Sequence, residues 1–256
     1  MSNPQDIQSL FNNAHDDGLL SQASLQSLDV LDLGVQIQAG LGVEVDDVMA
    51  SEVVLVTVMP DDSASIQYSN NVQAVRGGHN AVLDAFDSSP QKDQILIHNR
   101  YLNGHVLYPY CFLDQAVRMT PQNYNPRQGT PLYDQTLVLL GTVLAKAQEF
   151  SENGVPVRTI TLIITDGADV SSQRATAQTV KAVVRDLLNA ENHIVAAMGI
   201  DDGGATDFRQ VFREMGIRDE WILTPGQGEQ EIRQAFQLFS QSAVMVSQSA
   251  RKLSGF

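Results

Sequence analysis

Three stretches of the chain are continuous apolar runs rich in β-branched residues: VVLVTVM at 53–59, RTITLIIT at 158–165 and HIVAAMGI at 193–200. A strand with one face in water alternates apolar and polar residues; an unbroken run marks a strand covered on both faces. Between and beyond the runs, apolar residues recur at helical spacing. Val72, Val75, Val82, Leu83 and Phe86 predict one helix over about 66–86, and further helices are expected over 132–150 and 175–188. A short helix at 207–215, a short strand at 220–224 and a closing helix at 230–246 complete the pattern, the last with Ile232, Ala235, Phe236 and Phe239 on one stripe. Strands alternating with helices predict a three-layer α/β/α open sheet, mostly parallel and Rossmann-like. QILIHNRY (94–101) and HVLYPYCF (105–112) flank Asn103-Gly104, a hairpin signal that adds one antiparallel edge strand. Tyr101, Tyr108, Tyr110 and Phe112 on that hairpin are read mainly as core packing.

Residues 1–48 have a different texture. They are rich in Gln, Asn, Ser and Asp, with Ile7, Leu10, Phe11, Leu25, Leu28 and Leu31 spaced as in short amphipathic helices. The chain is therefore divided into a helical N-terminal extension, 1–48, and an α/β domain, 49–256. Sixteen basic against thirty acidic residues give a net charge of −14. That balance argues against nucleic acid and against an anionic membrane surface as partners. The lone Cys111 excludes an intramolecular disulfide and a cysteine-based zinc site. No apolar run approaches the roughly 18–20 residues that span a bilayer. The first residues lack the basic start and apolar centre of a signal peptide, so a cytoplasmic location is expected.

In open parallel sheets, ligands lie beyond the carboxyl ends of the strands. The first buried run ends in Pro60-Asp61-Asp62-Ser63-Ala64-Ser65, the second in Thr165-Asp166-Gly167, and Gly129-Thr130-Pro131-Leu132 opens a helix. Together they offer carboxylates and hydroxyls, hard oxygen donors that select Mg²⁺, Mn²⁺ or Ca²⁺ over zinc.

The trio Asp61-x-Ser63-x-Ser65, Thr130 in Gly-Thr-Pro-Leu and Asp166 in Thr-Asp-Gly resembles the von Willebrand factor A-type (vWA) domain, and specifically its metal-ion-dependent adhesion site (MIDAS). The resemblance covers about residues 50–250, in the family's order. Ala64 stands where most members have Gly. The resemblance implies the vWA fold and a non-catalytic protein-binding module of the bacterial stand-alone kind. It implies that Ser63, Ser65 and sometimes Thr130 bind Mg²⁺ directly, that Asp61 and Asp166 act mostly through water, and that a partner protein's Asp or Glu completes the shell. The loop 114–128 runs into Thr130, so Arg118, Tyr124 and Arg127 are candidates for partner contact. Two alternatives stand beside this reading: a Mg²⁺-assisted phosphoryl-transfer or hydrolytic enzyme on a similar sheet, and a scaffold with a vestigial site. Neither GxxxxGK[ST] nor GxSxG occurs in support of an enzyme.

Three further features carry expectations of their own. Asp201-Asp202-Gly203-Gly204 reads as a solvated turn, with Thr206 or Asp207 capping the next helix. Gly77-Gly78 reads either as a close-packing point or as a helix break. His79 reads as a packed histidine.

Overall fold

The structure, a computed structural model, describes residues 4–28, 30–248 and 255–256. Three helices come first: α1 (Pro4–Asp16), α2 (Gln22–Ser27) and α3 (Val30–Leu41). The remaining elements are β1 (Val53–Met59), α4 (Ala64–Tyr68), α5 (Val72–Asp87), β2 (Ile95–Arg100), β3 (Val106–Phe112), α6 (Leu132–Glu152), β4 (Val157–Thr165), α7 (Ala177–Asn189), β5 (His193–Gly199), α8 (Phe208–Glu214), β6 (Ile222–Leu223) and α9 (Glu229–Gln248).

The six strands lie in the order β3-β2-β1-β4-β5-β6. All neighbours are parallel except β2 and β3. This is the expected mostly parallel sheet with one antiparallel edge. β1 is buried along its whole length, as its unbroken apolar run requires. Its side chains alternate between faces. Val54, Val56 and Val58 enter the principal core, while Val53 and Leu55 join a smaller cluster with Leu96, Tyr110, Ala147 and Phe150. Helices flank the sheet: α5 packs against α9, and α6 packs against α1, α3 and α7.

The N-terminal helices share the main core. Ile7, Phe11, Leu28 and Ile37 are fully buried within it. Close approach of α3 to α6 depends on Gly141, where a Cβ would stand 2.8 Å from Ile37 Cδ1 and 3.2 Å from Leu28 Cδ2. The buried carboxylate of Asp186 on α7 accepts from Ser21 N at 2.8 Å and from Ser24 Oγ at 2.5 Å, which pins α2. Among the described residues no helix is long and apolar enough to cross a membrane.

The single helix expected over 66–86 is two. Asn70, with φ of 59°, turns the chain between α4 and α5; Asn is among the few residues that take this conformation readily. The apolar spacing is intact on both sides, so only the backbone turn betrays the break. The paired glycines do not interrupt α5. Gly78 is a packing point: a Cβ there would lie 2.0 Å from the Phe236 ring of α9, whereas a Cβ on Gly77 meets nothing within 4 Å. The hairpin turn spans Tyr101–His105, with Tyr101 N donating to His105 O at 2.8 Å and Gly104 at φ of 93°.

His79 is fully buried, with Nε2 2.9 Å from the Tyr108 hydroxyl. Burial holds its pKa down at about 4, against a minor upward pull from Asn80. His98 and His193 are likewise buried and depressed, to about 3 and about 4. Tyr101, Tyr108 and Tyr110 are buried too, in line with the core-packing reading.

Two outcomes follow from this packing. Gly77→Ala is expected to stabilise the protein by up to about 1 kcal/mol through helix propensity. Gly78→Ala is expected to destabilise it by about 1–3 kcal/mol, because the clash outweighs that gain; urea unfolding of both variants measures the pair. For His79, the folded pKa lies below the unfolded value of about 6.5. Its contribution to stability is therefore complete above pH ~6.5 and lost as pH falls toward 4. The stability of wild type relative to His79→Gln is expected to be level above pH 6.5 and to drop by up to about 1.4 kcal/mol per pH unit below it. A flat difference across that range would refute the assignment.

Candidate metal centre

The five residues singled out at the strand ends converge on one rim of the sheet. β1 and β4 are adjacent and parallel, in register from Val53 opposite Val157 to Met59 opposite Ile163. Their carboxyl ends therefore emerge side by side. Asp61 is fully buried. Its Oδ1 accepts from Ser63 N at 2.7 Å and its Oδ2 from Thr165 Oγ1 at 2.8 Å. Ser63 Oγ and Ser65 Oγ are 2.7 Å apart, and Ser65 Oγ donates to Asp166 Oδ1 at 2.5 Å. Ser69 Oγ approaches Asp166 Oδ2 at 3.3 Å. A continuous chain of hydrogen bonds thus runs from Asp61 through Ser63 and Ser65 to Asp166. Ser65 lies in the first turn of α4, and Ser63 stands at its N-cap position without a side-chain cap bond.

Thr130 enters from a third segment. Its loop is sewn to the first by a bridge between Ser63 and Gln128, with Ala64 N donating to Gln128 O at 3.0 Å. It is sewn to the segment after β4 by Val170 N and Ser171 N, which donate to Thr130 O at 3.2 and 3.3 Å. Asp134 and Asp169 reinforce that junction. Asp134 accepts from the backbone N–H groups of Gln173, Arg174 and Ala175, and Asp169 Oδ1 accepts from Tyr133 N. The Thr130 hydroxyl itself has no hydrogen bond to any described residue, although the residue is buried.

The electrostatics are those of carboxylates withdrawn from water. Burial raises the pKa of Asp61, with hydrogen bonds from Ser63 and Thr165 opposing it. Burial likewise raises Asp166 to about 6, against the bond from Ser65. Among the described residues no group of three or more His, Cys, Asp or Glu is placed to hold a metal. The rim is instead a mixed set of carboxylates and hydroxyls.

Two further residues, Asp62 and Thr165, shape the rim. Asp62 is buried, accepts from Asn103 N at 3.0 Å, and through its carbonyl accepts from Arg127 N and Gln128 N at 2.9 and 3.1 Å. It ties the hairpin turn to the Asp61 loop and to the Thr130 loop. Burial lifts its carboxyl to about 7. The doubled Asp in DDSAS was the one available signal. Thr165 was visible in Thr-Asp-Gly but was not given the role of holding Asp61.

The three candidates for partner contact fall in different places. Tyr124 is buried, and its hydroxyl donates to the backbone carbonyl of Asp61. Its ring packs on Tyr101, with centroids 5.4 Å apart. It supports the loop from beneath instead of facing outward. Arg118 is exposed and paired with Asp84 of α5. Arg127 is exposed beside the Asp61 loop. The Asp201–Gly204 segment is a turn: Gly204 N donates to Asp201 at 3.0 Å, Thr206 Oγ1 to Asp202 at 2.6 Å, and Asp207 caps α8 through Gln210 N.

No protein-family model matches the chain, and no curated protein matches it in sequence. Solved structures do match. The vWF domain of the type V pili tip protein Mfa5 from Porphyromonas gingivalis superposes with a TM-score of 0.55 at 10% identity, over 79% of this chain and 98% of that one. The pilus adhesin SpaC from Lactobacillus rhamnosus GG, in its open conformation, gives 0.53 at 12% identity, over 77% of this chain and 30% of its own. Proximal thread matrix protein 1 from the mussel byssus gives 0.53 at 14% identity, over 75% and 46%. This chain therefore spans less than half the length of the last two. The fold is of the vWA type.

The inward role of Tyr124 has a measurable consequence. Tyr124→Phe leaves the buried carbonyl of Asp61 without its donor and is expected to cost about 1–3 kcal/mol. Urea unfolding in EDTA, where no cation contributes, checks it; an unchanged midpoint would mean the hydroxyl is not needed there.

Proposed function

We propose that this chain is a non-catalytic, divalent-cation-dependent protein-binding module. In this reading Asp61, Ser63, Ser65, Thr130 and Asp166 hold a Mg²⁺ ion, and a partner protein contributes an Asp or Glu to it. The observation that carries the reading is the hydrogen-bonded chain from Asp61 to Asp166, with Thr130 held beside it and its hydroxyl unspent. The donor set fits such an ion. Every candidate ligand is a hard oxygen, and two carboxylates bear a burial cost that a nearby cation would offset. Bound there, the ion supplies an electrophilic centre for a carboxylate oxygen.

The protein's own groups divide the work. Ser63 and Ser65 from one backbone segment and Thr130 from a second present hydroxyl oxygens, and the two segments are hydrogen-bonded to each other, so little reorganisation accompanies binding. Asp61 is already engaged by Ser63 N and Thr165 Oγ1, which favours a role through water. Asp166 is engaged by Ser65 and Ser69. A partner carboxylate then meets an ion whose charge the protein has only partly neutralised. Arg127, exposed beside the loop, is the best placed of the candidate residues to attract an acidic partner.

Binding is favoured over catalysis by what surrounds the oxygen set. His79, His98 and His193 are buried in core contacts with depressed pKa values, and so are not placed to act on a substrate at the rim. The likeness to a pilus adhesin and a pilus tip domain is consistent with adhesion. It lends nothing to the cytoplasmic expectation.

Mg²⁺ at a hundredfold excess over its dissociation constant is expected to stabilise the protein by about 2.7 kcal/mol. Asp61→Ala and Thr130→Ala are expected to remove most of that gain, and EDTA to abolish capture of the partner in a pull-down. Equal stability with and without Mg²⁺, Mn²⁺ or Ca²⁺ would defeat the reading in favour of a vestigial site. Turnover of phosphate esters lost in Asp61→Ala would defeat it in favour of an enzyme.

A further inference from the structure

The helix α3 is apolar on two sides. Of its twelve residues only Asp32 is charged, and the other polar side chains are Gln36 and Gln38. One side is spent on the fold: Ile37 and Leu41 are buried in the main core, Leu33 packs against it, and α3 contacts α1, α6 and β3. The other side is bare. Leu31 is 95% exposed, Val35 is 75% exposed, and Ala39 is exposed beyond them. Residues four apart stack on one side of a helix, so these three form a continuous stripe roughly 12 Å long. A helix facing water ordinarily carries charge on its outer side, and one that is apolar all round is ordinarily enclosed.

The stripe runs into a cavity of about 480 Å³. Val35, Ala39 and Leu41 wall it from the helix, and Pro109 of β3 and Lys146 of α6 face them. Val43 N donates to Tyr110 O at 2.9 Å, which fixes the end of α3 beside β3. Apolar walls of this size suit one large side chain. Acid gathers at the mouth. The buried Lys146 ammonium donates to Glu149 at 2.9 Å and to the carbonyl of Val43. Burial lowers its pKa, and Glu149, Glu44 and Asp47 all pull it back up. Three carboxylates around one ammonium leave this end of the stripe negative.

We propose that the outer face of α3 receives an amphipathic helix of another protein. The visiting helix lays apolar residues spaced i, i+4 and i+7 along Leu31, Val35 and Ala39. It seats one large side chain in the cavity and brings Lys or Arg to Glu44, Asp47 and Glu149. A second copy of this chain suits the face poorly, since at a net charge of −14 it would bring like charge against it. The surface is separate from the metal rim: α6 begins beside Thr130, and Lys146 and Glu149 lie near its far end. It holds whether or not the rim binds a cation.

The test uses the full chain in EDTA and a labelled synthetic peptide of leucine and lysine, with leucine at helical i, i+4, i+7 and i+11 spacing, followed by fluorescence anisotropy. The wild type is expected to bind it about tenfold more tightly than a peptide of the same composition in scrambled order, and than one with glutamate in place of lysine. The double variant Leu31→Ser, Val35→Ser changes two exposed positions, so it is expected to keep its unfolding midpoint while losing that preference. Equal affinities in the wild type and the double variant overturn the proposal. So does an equal affinity of the wild type for the glutamate peptide, a measurement that needs no variant. Sedimentation of the wild type and the double variant is expected to show the same oligomeric state; a dimer that only the wild type forms would give the face to a second copy and overturn the proposal as well.

Discussion

The parallel pairing of β1 with β4 is the constraint on which the rim depends. Their register carries Met59 opposite Ile163. Two residues further on, Asp61 meets Thr165, and the 2.8 Å bond between their side chains joins the two strand ends. Side chains alternate along a strand, so a slip of one residue would send Thr165 to the opposite face and leave Asp61 buried without that donor. The register itself is held by apolar side chains on both faces, Val54 to Val58 on one and Val53 to Leu55 on the other. Geometry at the polar rim is therefore set by packing in the apolar interior.

Much of this was legible in the sequence, and the parts that were not share a cause. Unbroken β-branched runs announce strands covered on two faces whatever their neighbours are, so β1, β4 and β5 could be read directly. The order of the strands in the sheet, β3-β2-β1-β4-β5-β6, is not written in those runs. Asn70 breaks a helix whose apolar spacing continues undisturbed, and periodicity does not register a single left-handed residue. Gly77 and Gly78 are indistinguishable in sequence; only the Phe236 ring, some 160 residues away, makes one a packing point and leaves the other free. Tyr124 sits in a polar, proline-bearing loop, where an aromatic residue reads as a surface contact. Its burial comes from Tyr101 and the Asp61 carbonyl, which belong to other segments. In each case the missing information was tertiary.

The site shows the same division. The residue types and their order were readable as an oxygen donor set. The hydrogen bonds that fasten three loops together were not: Asp134 is an acidic residue in the first turn of a helix, which ordinarily signals a favourable end charge, and Asp169 lies in the polar stretch after β4. Here they hold the segment after β4 against the start of α6. Asp62 does comparable work, binding the hairpin turn through Asn103. Side chains with no direct claim on a cation thus keep the candidate ligands in place.

Burial also separates two opposite charges near the carboxyl end of β2. Asp62 and its neighbours on the rim form an acidic, partly dehydrated group, raised in pKa chiefly by loss of water. Arg100 is a dehydrated cation bonded to Gln36 of α3. Were the two to meet, each would offset the other's cost, and both would cease to attract anything from outside. The fold prevents it: Asp62 is tied to the turn by Asn103, and Arg100 is turned toward the N-terminal helices. Interiors usually hold charges in pairs. Here hydrogen bonds from the backbone serve each group separately: Asn103 N donates to Asp62, and the Gln36 carbonyl accepts from Arg100.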